Sequence, residues 1–221
     1  MCKRTVFSAL FILVFMFCIS TGAGAQQQKA AAAPQQDYKS YLVIKGGIFY
    51  PRGDLDDLKV GFNGEFAYGY RFHPNGAVEF STGYFQTSDT YREIYNGVGA
   101  SAKAEVSAIP LTVAIKGIIP IDKQWDVYGL AGGGAYFVHG KLRATAAGFG
   151  SASLSDNTTV AGGFLGAGTS YNITKEIFLG LEAKYLWTGT AKLSKVVNGT
   201  NIDADFKIEG LFGTLNLGYR F

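Results

Sequence analysis

Few side chains in this sequence have the type and spacing that chemistry requires. Its two histidines are His73 and His139. His139 is followed by Gly140-Lys141-Leu142, and His73 opens the turn-like stretch His73-Pro74-Asn75-Gly76. Neither has a nucleophile beside it, and nucleophilic catalysis needs a nucleophile and base within reach of each other. No catalytic residue is expected. Asp54, Asp56 and Asp57 offer carboxylates, but the spacing lacks the further oxygen ligands of a calcium loop. A solvated acidic turn is the expectation, with neither metal nor cofactor. Eight other charges stand inside alternating runs: Lys45, Glu65, Arg71, Glu79, Lys116, Glu182, Lys184 and Arg220. Such a set either lines a conducting pore or neutralises itself as ion pairs.

Which of these it does depends on the elements that carry it. Helical periodicity is absent, and period-2 runs broken by turn residues predict an all-β chain. Eight strands are expected, at about 40–50, 62–72, 77–87, 103–117, 125–139, 158–172, 176–188 and 206–221. Several exceed the usual five or six residues and approach the roughly 9–11 that cross a bilayer at a tilt. The connections alternate. Short turns, HPNG, PIDKQ and ITK, follow strands two, four and six. Long polar segments follow strands one, three, five and seven, and these are expected to be loops. Short turns at one end and long loops at the other describe a transmembrane barrel.

The faces agree with that architecture. Leu42, Ile44, Ile48 and Tyr50 share one side of strand one, and Phe62, Phe66, Tyr68, Tyr70 and Phe72 one side of strand two. The same reading places Tyr128, Leu130, Tyr136 and Val138 on the apolar face of strand five, and Leu179, Leu181, Tyr185 and Trp187 on that of strand seven. The charges take the opposite faces. They are few and of both signs, which suits a filled interior better than a solvated exterior. Aromatic residues gather at the strand ends, among them Tyr70, Trp125, Tyr171, Trp187, Tyr219 and Phe221, as amphipathic rings do at a membrane interface. The apolar face therefore meets lipid, and the expected fold is an eight-stranded antiparallel up-and-down transmembrane β-barrel. Only a closed sheet leaves no unpaired edge in hydrocarbon.

An eight-stranded barrel has an interior just wide enough for its own side chains. The eight charges are accordingly expected to form an ion-paired plug. Glycines cluster on strands five and six without the strand-to-helix turn of a phosphate loop. Curvature accounts for them; so does a small apolar cavity formed by Gly133, Phe137, Phe164 and Gly166.

The N-terminus reads as a secretory signal. Lys3 and Arg4 precede an apolar run from Val6 to Ile19, and Ala23-Gly24-Ala25 forms an A-x-A site. Residues 1–25 are expected to be cleaved, 26–37 to be a flexible periplasmic leader, and 38–221 to be the barrel domain. Cleavage removes Cys2 and Cys18, the only cysteines, and takes two of the 20 basic residues, leaving 18 against 17 acidic. So balanced a charge gives no reason to expect a nucleic-acid partner.

The stretch IPLTVAIKG, the following WDVYGLAGGGAYF and the terminal LNLGYRF resemble the bacterial outer-membrane β-barrel families, the eight-stranded group of OmpA-, OmpX- and OmpW-like proteins. That resemblance implies a Gram-negative outer-membrane protein with both termini periplasmic. It implies that Leu215, Leu217, Tyr219 and Phe221 are read by the barrel-assembly machinery, and that membrane lipid and lipopolysaccharide surround a monomer. No domain is expected after Phe221. A structural or surface-exposed role follows from it, with an OmpW-like conduit for small hydrophobic molecules and OmpX-like adhesion through the loops as alternatives. The His-x-Ser-Asn motif of lipid A deacylases is not matched at His139, so the resemblance implies no enzyme.

Overall fold

The computed structural model describes residues 39–221 apart from 96–97, 147–149 and 198–199. The expected signal (1–25) and leader (26–37) lie outside the described residues. Eight strands follow one another: β1 (Ser40–Arg52), β2 (Gly61–His73), β3 (Gly76–Tyr95), β4 (Val98–Pro120), β5 (Trp125–Ala146), β6 (Gly150–Asn172), β7 (Ile177–Val197) and β8 (Thr200–Arg220). Each pairs antiparallel with its sequence neighbour, and β8 returns to β1 to close the barrel. The closing ladder runs from Tyr41 opposite Arg220 to Arg52 opposite Glu209. Phe221 completes it, its N–H donating to the Ser40 carbonyl at 2.9 Å.

Three of the four expected long loops are not loops. β3 pairs with β4 up to Tyr95 opposite Val98, β5 with β6 up to Ala146 opposite Gly150, and β7 with β8 up to Val197 opposite Thr200. The reason is environmental. Beyond the apolar belt the composition turns polar while the backbone ladder continues. Among the described residues of these four segments, only the β1–β2 connection leaves the sheet, through a single 3-10 turn at Gly53–Leu55. β1 and β2 are 13 residues each, against 20 to 23 for β3 to β6. The β2–β3 ladder stops at Phe62 opposite Gln86, and the β6–β7 ladder at Gly162 opposite Thr188. Beyond the rim, therefore, a four-stranded sheet (β3–β6) and a hairpin (β7–β8) continue separately.

Strand five carries a second correction. Tyr128, Leu130, Tyr136 and Val138 are buried in the lumen, while Trp125, Val127 and Phe137 face outward. Bulk marks the lipid face in β1, β2 and β7, but in β5 the bulk fills the interior. The outward face there is thinned to Gly129, Ala131, Gly133 and Ala135.

The interior is layered. At the long-strand end, Phe49, Phe85 and Phe212 stack with centroids 4.7 to 5.3 Å apart. Leu55, from the 3-10 turn, is buried with this cluster. At the short-turn end a second cluster gathers Tyr41, Val43, Ile118, Tyr128 and Phe178. The charged side chains lie between and below these layers.

Candidate functional site: the charged lumen

Alternation places one or two polar side chains from most strands at the same depth inside the ring. Lys45 on β1 is at the centre and only 2% exposed. Its ammonium reaches three carboxylates: Glu79 on β3 at 2.5 Å, Glu182 on β7 at 3.1 Å and Glu65 on β2 at 3.3 Å. Lys184 donates to Glu65 at 2.6 Å, and Lys116 to Glu79 at 3.3 Å. Three lysines and three glutamates thus form one network in which no member is isolated. Neutrality matters here, because a buried ion without a partner carries a desolvation cost of several kcal/mol.

Neutral groups complete the coordination. The Tyr41 hydroxyl donates to Glu79 and the Tyr128 hydroxyl to Glu182, each at 3.1 Å. Asn216 donates to the Tyr128 oxygen at 3.2 Å and accepts from Thr214. Lys116 also lies over the Tyr128 ring, 3.8 Å from its centroid, where the negative face of the ring attracts a cation.

The two arginines of the expected set belong to a separate group nearer the short turns. Arg71 and Arg220 approach Asp126 at 3.9 and 3.8 Å, and Arg220 donates to Asn172 at 2.7 Å. The Arg220 guanidinium also covers the Phe178 ring at 4.4 Å. Six of the eight expected charges therefore meet in one cluster and two in another. Asp126, Tyr41 and Tyr128 were missing from the expected set. Asp126 held the signal, since a carboxylate does not face lipid; its position fixes Tyr128 as inward by alternation.

The residues of the expected apolar cavity do not converge. Phe137 faces outward at 48% exposure and Gly133 lies on that same face, whereas Phe164 is buried in the lumen. The inward glycines make room for rings rather than for a ligand: a Cβ at Gly168 would meet the Tyr128 hydroxyl at 2.5 Å, and one at Gly132 the Phe164 ring at 2.7 Å. A void beside Glu65, Phe164 and Lys184 holds about 10 Å³, room for about one water molecule and not for a ligand.

Outside, Leu215, Leu217, Tyr219 and Phe221 line the outward face of β8, each at least half exposed. The Tyr219 and Phe221 rings stack at 6.4 Å. Other members of the apolar belt include Ile44, Phe66, Phe80, Leu111, Ile115 and Leu181. Asp54, from the acidic turn, accepts the Lys207 backbone N–H at 2.8 Å, and His139 pairs its Nδ1 with Asn157 Oδ1 at 2.6 Å.

A closed ring of strands, charged within and apolar without, is the arrangement of the outer membrane protein beta-barrel domain, and a model of that domain matches residues 11–221. The chain belongs to this family. Membership places this outer-membrane barrel in the outer membrane. No curated protein matches its sequence. Among solved structures it resembles the outer membrane protein OprG from Pseudomonas aeruginosa, at 15% identity and a TM-score of 0.54, covering 84% of this chain and 98% of that one. Neisserial surface protein A gives 15% identity and a TM-score of 0.51 over 82% and 97%. The outer membrane protease OmpT from Escherichia coli gives 10% and 0.49 over 74% and 65%. These likenesses are of fold.

Proposed function

We propose that this barrel is a small monomeric outer-membrane protein with a structural or surface-exposed role, whose lumen is sealed to solutes. The Lys45 network carries the reading. Three strands supply carboxylates to one ammonium, so a permeating ion would have to break several buried pairs at once. The phenylalanine layer beside Leu55 adds an apolar barrier above it. The barrel performs no chemistry of its own: His139 is paired with an asparagine, and the charged groups pair with one another. In this reading the short turns and both ends of the barrel chain are periplasmic, and the long-strand end is outside. Leu215, Leu217, Tyr219 and Phe221 are the strand read during assembly, and membrane lipid and lipopolysaccharide are the surrounding partners. No nucleic acid takes part. Reconstituted vesicles test the seal. Influx of small neutral and charged solutes should match that of protein-free vesicles, and rapid influx would refute the plug.

A second role, surface adhesion, is favoured by one observation. β3 to β8 project as paired strands well past the rim, carrying an exposed Tyr91 whose hydroxyl donates to the Asp57 carbonyl at 2.9 Å. Shortening β3–β4 or β7–β8 above the rim should abolish attachment to host surfaces while leaving the barrel folded; unaltered attachment would remove this role.

A further inference from the structure

One concavity lies on the outside. A groove of about 420 Å³ crosses β3 to β6 at the edge of the apolar belt. Its walls are ordered in rows because neighbouring strands are in register. The lowest row is apolar: Tyr84 from β3, then Ile109 opposite Phe137. Two residues further along each strand the row is neutral and polar, with Gln86 opposite Ser107, Ser107 opposite His139, and His139 opposite Asn157. Beyond the residues that line the groove, the next two outward rows carry charge. Glu105 is opposite Lys141, and Lys103 is opposite Arg143. Lys103 is held by Glu105 at 3.1 Å. Among the described residues, Lys141 and Arg143 have no carboxylate partner, and both are exposed. Each row stands about 5 Å above the last, from two residues of strand rise and the tilt of a barrel strand.

We propose that this groove is a docking site for a phosphorylated saccharolipid of the outer leaflet. An acyl chain would lie against Ile109 and Phe137, sugar hydroxyls against the neutral row, and a phosphate against Lys141 and Arg143. The height of the cations selects the occupant. A glycerophospholipid carries its phosphate directly above the acyl chains, level with Gln86, Ser107, His139 and Asn157, a row without a lysine or arginine. A phosphate raised on a sugar reaches the charged rows. The proposal rests on the reading that the long-strand end is outside.

The test uses the full protein folded in detergent micelles and native mass spectrometry. Bisphosphorylated lipid A, its dephosphorylated form and phosphatidylglycerol are the probes. Bisphosphorylated lipid A should bind tightest. A cation near a lipid headgroup contributes roughly fivefold in affinity, so Lys141→Gln with Arg143→Gln should weaken this lipid about 25-fold. Lys192→Gln, on β7 and away from the groove, should not change it. Heat-modifiable migration verifies that each variant is folded. Undiminished binding by the double variant, or equal binding of the dephosphorylated lipid, would overturn the proposal. Equal binding of phosphatidylglycerol would overturn it in favour of a glycerophospholipid. Orientation is read separately: Lys141→Cys should react with an impermeant maleimide on intact cells. Absence of labelling would contradict the orientation while leaving the micelle result intact.

Discussion

Lys45 and Glu182 are separated by 137 positions in the chain, yet their charges stand 3.1 Å apart inside the barrel. β8 lies between their strands, so the pair is made across the lumen and exists only once the ring has closed. Lys45→Met would leave the carboxylates of Glu79 and Glu182 without their central cation. Losing one partner of a buried ion pair costs about 3–5 kcal/mol. Urea unfolding in vesicles should show a loss of that size, and adding Glu182→Gln should recover part of it. A single substitution within about 1 kcal/mol of the unaltered barrel would mean that the network contributes little.

Burial at Gly168 makes a packing prediction. Its Cβ position lies 2.5 Å from the Tyr128 hydroxyl, which donates to Glu182. Gly168→Ala should push the phenol off that carboxylate and destabilise the barrel by about 1–3 kcal/mol, the usual range for overpacking. Gly46→Ala is the control, since no atom lies within 4 Å of its Cβ position, and it should fold with near-normal stability.

Strand phase in β5 can be measured directly. A nitroxide attached at Phe137→Cys should be relaxed by oxygen dissolved in the bilayer, and one at Tyr136→Cys should be shielded. The reverse pattern would restore the face expected from bulk alone.

One pair beyond the rim responds to pH. The Asp89 carboxyl is held below the usual carboxylate range by the Lys59 ammonium at 2.9 Å and then by the Thr90 N–H. A depressed folded value means that the contribution is present above the ordinary aspartate range and is lost as pH falls through the folded value. Carboxyl NMR should find Asp89 titrating below its unfolded range. Hydrogen exchange where the Thr87 hydroxyl donates to the Lys59 carbonyl and the Tyr91 hydroxyl to the Asp57 carbonyl should quicken only in acid, and Asp89→Asn should remove that dependence.

Much of this molecule was legible because alternation is a backbone property. Leu42 to Tyr50, Phe62 to Phe72 and Ile177 to Trp187 report their faces because Lys45, Glu65, Glu182 and Lys184 mark the opposite side, although Phe49, Phe178 and Leu186 share that interior. Tyr128 to Val138 misled because apolar bulk fills a narrow lumen as readily as it meets lipid. Asp126 decides the phase there, as the one carboxylate or cationic side chain between Trp125 and Val138. Strand length was hidden for another reason. Polarity beyond Thr87 does not mark the end of a ladder, which runs on to Tyr95 opposite Val98. The pairings within the lumen were beyond sequence reasoning altogether. Nine inward charges can pair in many ways, and only the stagger of the closed ring brings Lys45 level with Glu79 and Glu182.

The sealed lumen is tested most directly by single-channel recording from the purified barrel in a planar bilayer. The ion-paired interior predicts a baseline without steady, voltage-independent steps, and the same baseline after Lys141 and Arg143 outside the lumen are replaced. Reproducible, long-lived conductance from the unaltered protein would contradict it.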